Sequence, residues 1–293
     1  MDASDLRVFE AVARLGGMNR AASELNTVQS NVTSRIRALE DELGTSLFHR
    51  HARGVELTDA GRRLLPYAAQ VRATLQDAKR AVADAGTPSG PLTIGSLETT
   101  AALRLSPLLA GYARAYADVD LVIRTGTTCE LVQLVLDAQI EGAFVCGPIE
   151  HADLVAEPIF REELALITAP DIRSIDDALQ RAPRVVVLRA GCSYRERLET
   201  ILAQRGVRAA RLLEFGTLEA IVACVGAGLG VTLLPRGLAG TVWSAARVGV
   251  HTLPPAEAMV ETLFVRRRDA FVSSALNAFL AQTRPSQGRA AAE

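Results

Sequence analysis

Gln29, Ser30, Thr33, Ser34 and Arg37 recur at spacings that bring them to one side of a helix. An amide, three hydroxyls and a guanidinium placed there present short donors and acceptors, the chemistry needed to read base edges in a major groove. At about 100° per residue, Val28, Val32, Ile36 and Leu39 fall within roughly an 80° arc on the other side, so one face packs and the other stays polar. A solvated amphipathic surface helix has the same pattern, and this feature alone leaves both readings open. His49, Arg50, His51 and Arg53 surround a turn at Gly54 between two short apolar stretches, which suits a wing gripping phosphates. Residues 20 to 63 carry seven arginines against six carboxylates. A basic footprint must therefore come from arrangement, with the acidic cluster 40 to 42 kept away from any duplex.

A second set is rich in hydroxyls. Ser96, Thr99 and Thr100, then Thr127 and Thr128, Ser193 after Gly191, and Thr217 after Gly216 each follow an expected strand and open an expected helix. Hydroxyls and helix N-terminal amides so placed converge on one cleft and favour an anionic group. For each residue taken singly, N-capping is the competing role. Glu98 is the exception, because a carboxylate there would repel a dianion and could receive an amine. The set predicts a small carboxylate ligand, or an amino-bearing one that uses Glu98, bound without metal or cofactor.

Catalytic chemistry finds less support. His49 and His51 belong to the expected wing, His151 and His251 are isolated, and neither H-E-x-x-H nor G-x-S-x-G occurs, so no enzyme is expected. Cys129, Cys146, Cys192 and Cys224 contain no C-x-x-C pair, which argues against structural zinc. Cys146 and Cys192 could border the cleft, where thiol oxidation competes with small-ligand binding; a structural thiol is the plainer role. The run from Gly226 to Gly230 is not G-x-G-x-x-G and precedes a strand, against a dinucleotide site.

The elements that must position these residues begin with a helix over 4 to 15, where Leu6, Phe9, Val12 and Ala13 recur at helical spacing before Gly16-Gly17. A short helix follows with Asn19 as N-cap, then a tight turn at Asn26-Thr27, then a third helix capped by Thr27 and stopped at Gly44. From 58 to about 85, Leu64, Ala68, Val71, Leu75, Ala78 and Val82 alternate spacings of four and three. This heptad seam is too short for a free coiled coil and too narrow for a buried helix, which favours a second copy as partner over packing within the chain. Pro66 inside it should bend or open the helix. Gly86 to Pro91 is a breaker cluster that reads as a linker.

Beyond the linker, strands are expected at 92–95, 121–125, 143–146, 164–168, 185–188, 212–215, 231–234 and 262–265. Helices are expected at 101–117, 128–138, 193–205, 217–225 and 268–281. This alternation is the signature of parallel α/β sheets. A length of 293 residues with 49% hydrophobic content predicts about two domains, and 32 basic against 33 acidic residues exclude a polycation. An acidic start and no long apolar run predict a cytoplasmic chain with reduced thiols and no membrane partner.

Several blocks in fixed order carry a family resemblance. They are Arg20-Ala21-Ala22-Ser23-Glu24-Leu25, the stretch from Val32 to Gly44, Leu47-Phe48-His49-Arg50, Leu57-Thr58-Asp59-Ala60-Gly61, and Val225 to Pro235. Together they resemble LysR-type transcriptional regulators along essentially the whole chain. The resemblance implies a winged helix-turn-helix DNA-binding domain over 1–58, a linker and dimerisation helix over 59–86, and an effector-binding domain over 87–293. That last domain would be α/β with two lobes, I over about 91–160 and 266–293 and II over about 161–265, similar to type 2 periplasmic binding proteins. DNA-binding residues would be Arg20, Gln29, Ser30, Asn31, Thr33, Ser34, Arg35, Arg37, Arg50 and Arg53. Effector-binding residues would be Ser96, Glu98, Thr99, Thr100, Thr127, Thr128, Ser193 and Thr217. The implied partners are a dyad-like operator, a small inducer between the lobes and further copies of the chain, as a homotetramer built from a dimer of dimers. Where the family commonly has Ser-Gln-Pro-Ala, this chain has Val28-Gln29-Ser30-Asn31, so base preference at that end does not transfer. A solute-binding protein, the other bearer of such a two-lobed domain, would carry a signal peptide and no DNA-binding domain.

Overall fold

The computed structural model describes residues 1–51, 54–180, 184–207, 211–238 and 247–283. The chain divides into two compact units, Met1–Ala83 and Asp84–Glu293.

In the first unit, α1 (Ala3–Leu15) opens with a capping box between Asp2 and Asp5 and stops at Gly16 in the left-handed conformation. Helix α2 (Met18–Glu24) is capped by Gly17, so Asn19 lies inside the helix and is not its cap. Helix α3 (Gln29–Leu43) is capped by Val28 without a side-chain bond. Thr27 is therefore not the cap; its hydroxyl instead accepts from Asn31 Nδ2 at 3.0 Å. The extended backbone of Val28 also takes its side chain off the apolar arc to 64% exposure, while Val32, Ile36 and Leu39 are buried. These three pack with Phe9, Val12, Ala21 and Ala22 in one core.

Strands β1 (Phe48–His51) and β2 (Gly54–Leu57) form an antiparallel hairpin. At Gly54, with φ +141°, an added Cβ would lie 2.5 Å from the Gly16 carbonyl, and Val55 N–H donates to that same carbonyl at 3.2 Å. Only glycine allows so close an approach, and it fastens the hairpin to the end of α1. Helix α4 (Asp59–Ala83) begins where Thr58 Oγ1 accepts from Gly61 N–H at 3.0 Å, and it stays helical through Pro66. The local opening expected at Pro66 does not occur, because Leu64, Leu65 and Ala68 anchor that turn on the core. The expected seam is thus divided: its first residues pack within the unit, whereas Val71, Leu75 and Val82 are exposed, with Tyr67 beside them.

The second unit is a mixed sheet, not the parallel one expected. Strand β3 (Gly90–Ser96) runs parallel to β4 (Val119–Thr125) and to β5 (Gly142–Cys146). Two long strands then cross the unit antiparallel to each other, β6 (Leu154–Thr168) and β11 (Met259–Arg267). Along Leu154–Glu163, β6 pairs β11, and along Leu164–Thr168 it pairs β9 (Thr232–Pro235) and β10 (Gly249–Thr252). β11 also pairs β5 through Thr262–Val265. β7 (Val185–Leu188) and β8 (Leu212–Phe215) form a separate parallel pair.

The helices set beside these strands include α5 (Glu98–Thr100), continued by a π-helical turn Ala101–Leu105 and by α6 (Ser106–Ala115). They also include α7 (Thr128–Leu136), α8 (Ile175–Gln180), α9 (Ser193–Gln204) and α10 (Leu218–Gly226). The helix expected at 268–281 forms as Ser274–Thr283. Its Phe279 meets Tyr112 edge-on at 5.1 Å, in a core shared with Phe144 and Phe264. No helix of the described residues is long and apolar enough to cross a membrane.

Candidate functional site

On α3 a shallow groove is lined by Gln29, Ser30, Thr33, Ser34, Arg37, Ala38 and Asp41. Five of these are the polar residues singled out by spacing, and burial of Val32, Ile36 and Leu39 on the far side is what holds them outward. Gln29 Nε2 donates to Thr33 Oγ1 at 3.1 Å, so the two are oriented as a pair. Arg37 is exposed. The acidic cluster behaves residue by residue, since only part of it turns away. Glu40 accepts from the amide N–H groups of Leu47 at 2.8 Å and Phe48 at 3.3 Å and pairs with Arg50 at 3.0 Å. Asp41, four residues after Arg37, stays in the groove.

The other cations differ in freedom. Arg35 is engaged by Ser4 and lies 3.6 Å from Asp5. Arg20 donates to the Gly16 carbonyl at 3.1 Å, beside the hairpin anchor. Arg53 lies outside the described residues.

The second site is a cavity of about 280 Å³ in the other unit, walled by Leu97, Glu98, Thr99, Thr125, Gly126, Thr127, Thr128, Cys146, Leu188, Arg189, Cys192, Ser193, Tyr194, Gly216 and Thr217. Strand ends deliver helix N-termini to it from both lobes: α7 from one, α9 and α10 from the other. Ser193 donates to Thr128 Oγ1 at 3.0 Å, a hydrogen bond spanning the cleft. Glu98 Oε1 accepts from Leu218 N–H at 3.4 Å, placing a carboxylate at the start of α10. Arg189 reaches Glu130 Oε2 at 3.0 Å, a third link between lobes. Gly191 (φ +85°) makes this approach feasible, since a Cβ there would sit 3.0 Å from Thr127 Oγ1.

Of the hydroxyls expected here, Thr99, Thr127, Thr128, Ser193 and Thr217 line the cavity together with Glu98, whereas Ser96 and Thr100 do not. Ser96 turns its hydroxyl to the Leu97 carbonyl at 2.9 Å, and Thr100 is buried away from the cleft. Thr127 and Thr217 cap α7 and α10 through the amides of Glu130 and Ala220, each at 3.3 Å. The capping role expected for single hydroxyls therefore operates at these two.

Arg189 and Tyr194 line the cavity without having been singled out by sequence. Arg189 directly follows the strand Val185–Leu188 and Tyr194 directly follows Ser193, so the strand-end rule, applied to every polar residue, reaches both.

Electrostatics separate the titratable groups. Burial raises the Glu98 carboxyl above its ordinary value, with Glu219 adding to the shift while the Leu218 amide and Arg189 oppose it. Glu130 is lowered, chiefly by the Thr127 amide and also by Arg189. Burial pushes the Cys146 thiol up to about 11 and raises Cys192 as well. Both are thus protonated thiols at neutral pH, poor nucleophiles for oxidation chemistry. Among the described residues no group of three or more His, Cys, Asp or Glu is placed to hold a metal ion.

Comparisons with known proteins place the chain within a family. Residues 3–62 match the family described as bacterial regulatory helix-turn-helix protein, lysR family, and residues 85–287 match the LysR substrate binding domain. The HTH-type transcriptional regulator GltR of Bacillus subtilis (strain 168) is 45% identical over 282 residues, covering 95% of each chain. YofA, an HTH-type transcriptional regulator of the same strain, is 42% identical over 280 residues, covering 96% of this chain and 97% of its own. A full-length single-residue variant of OxyR from Pseudomonas aeruginosa shares the fold with a TM-score of 0.72 at 22% identity, over 97% of this chain and 94% of that one. Full-length CbnR complexed with its target DNA does so with a TM-score of 0.64 at 21% identity, over 97% and 98%.

Proposed function

This chain belongs to the LysR family of DNA-binding transcriptional regulators, and from that premise we propose that a small carboxylate inducer, bound between the two lobes of its effector-binding domain, controls its hold on an operator. One observation carries the reading: a single cavity gathers three helix N-termini from both lobes, with Ser193 and Thr128 already hydrogen-bonded across it. Helix N-termini favour anions. A ligand that inserts between those hydroxyls alters the lobe-to-lobe contacts, and so has the differential affinity for two states that control requires.

In this reading residues 1–58 bind DNA, the helix over 59–86 dimerises the chain, and 87–293 bind the effector, in a cytoplasmic dimer of dimers. Gln29, Ser30, Thr33 and Arg37 face base edges. Arg35, Arg50 and Arg53 hold phosphates, and Arg20, Asn31 and Ser34 flank the contact. The support is the outward polar face of α3 and the hairpin anchored beside it.

Selection from random duplexes with the full chain, followed by titration at several salt concentrations, tests the DNA half. Arg50→Ala should weaken binding to every duplex alike and flatten the salt slope by about one unit. Arg37→Ala should instead change which bases are enriched, at about 1–3 kcal/mol per lost base contact. Equal loss of sequence preference from both changes would refute the division of labour.

A further inference from the structure

Two features of the cleft point beyond a carboxylate. The hydroxyls of Tyr194 and Thr99 are buried at the cavity wall with no hydrogen-bond partner among the described residues, Tyr194 at 5% and Thr99 at 2% exposure. Burial raises the Tyr194 phenol and the nearby Thr99 hydroxyl opposes that rise, although the two stand outside good hydrogen-bond geometry. Two buried donors left open in a cavity call for an acceptor that the ligand brings.

Glu98 makes the opposite demand. It already occupies the N-terminus of α10 through the Leu218 amide, so that anion site is filled by the protein itself. The start of α9 has no oxygen cap, since its N-cap is Cys192 and no side-chain bond forms there. The cavity's arginine, Arg189, is committed to Glu130. A second anion beside Glu98 would face it with only Arg189, already shared with Glu130, to offset the repulsion, whereas an ammonium would find a carboxylate.

We propose that the cleft takes an α-amino acid, its ammonium on Glu98 and its carboxylate at the α9 end, beside Ser193 and the open hydroxyls of Tyr194 and Thr99. This rests on the cleft being the effector site. A cavity of about 280 Å³ suits a ligand of that size, lying just below the roughly 300–1,000 Å³ range of drug-sized pockets. The raised affinity of Glu98 for a proton fits the same picture, because a desolvated carboxylate gains most from a cation placed against it.

Calorimetry on the full chain, with the twenty standard L-amino acids and the matching acids lacking the amine, tests the assignment. At least one amino acid should bind about tenfold or more tightly than its deaminated partner. Glu98→Gln, which keeps an acceptor for the Leu218 amide, should erase that margin by weakening the amino acid and sparing the deaminated acid. A deaminated acid that binds the unaltered chain as tightly as its parent overturns the amine assignment, as does a panel in which no amino acid binds. Thr128→Val separates the two levels of the claim. If a deaminated acid binds as tightly as its parent and Thr128→Val abolishes that binding, the cleft stands and the amino-acid proposal falls; if an amino acid binds undiminished to both variants, the cleft reading itself falls.

Discussion

Replacing Leu75 with Glu will leave the chain monomeric and remove most of its affinity for a duplex carrying two half-sites. The reason lies in how α4 is divided. Its first turns pack on the core of their own unit, through Leu64 and Ala68, but Val71 at 37%, Leu75 at 47% and Val82 at 91% exposure continue the same stripe and are left exposed by the described residues of the unit. In the dimer proposed above this stripe is covered by its own copy, and a glutamate at its centre would set two carboxylates against each other in an apolar seam, at a cost of several kcal/mol. A monomer engages one half-site, forfeiting the roughly 10²- to 10⁴-fold gain of linked binding. Sedimentation velocity and a gel-shift titration read both effects. An oligomer unchanged by Leu75→Glu would show that α4 is not the contact.

Arg104→Met should destabilise the effector-binding unit by about 2 kcal/mol. Arg104, on the π-helical turn after α5, donates twice to Glu162, at 2.6 Å and 3.0 Å, and stands 5.6 Å from the centre of the Phe160 ring. Glu162 lies on the crossing strand β6 and is only 6% exposed, so losing its partner strands a carboxylate where water is scarce. Fully buried pairs lose about 3–5 kcal/mol on such a truncation; the Arg104 side chain is 40% exposed, which reduces the expected figure to about 2 kcal/mol. The double variant Arg104→Met, Glu162→Gln should recover part of the loss. Urea denaturation of the full chain, following the effector unit's transition, measures both. Singles and double all matching the unaltered chain would mean the pair contributes nothing.

The parts of this molecule legible in sequence are those governed by a short period. The face of α3 could be read because Val32, Ile36 and Leu39 fix the helix's rotation. Val28 escaped the rule because an N-cap residue is extended, so helical angles do not apply to it. Strand β6 was half visible for a similar reason. Its second half, Leu164–Thr168, is an apolar run, whereas the first half carries Pro158, Glu157, Arg161, Glu162 and Glu163 and reads as loop. Its ladder with β11 is a pairing between distant segments that no local pattern announces, and it turns the sheet from parallel to mixed.

At the cleft, five of the strand-end hydroxyls legible in sequence line the cavity, because the fold rule specifies which chain positions meet there. Ser96 and Thr100 fit that rule yet do not line the cavity, because it fixes a position along the chain and not the direction of a side chain. Arg189 and Tyr194 stand outside the Ser/Thr pattern that marks the cleft in sequence, so no repeated residue type announces them.

Control of DNA binding from the cleft is tested most directly by the affinity of the full chain for its selected duplex, measured with and without a cleft ligand, in the unaltered chain and in Thr128→Val. Ligand should change the affinity of the unaltered chain about 5-fold or more and leave the variant's unchanged. An equal response in both, or ligand binding that leaves the unaltered chain's DNA affinity as it was, would contradict control from the cleft.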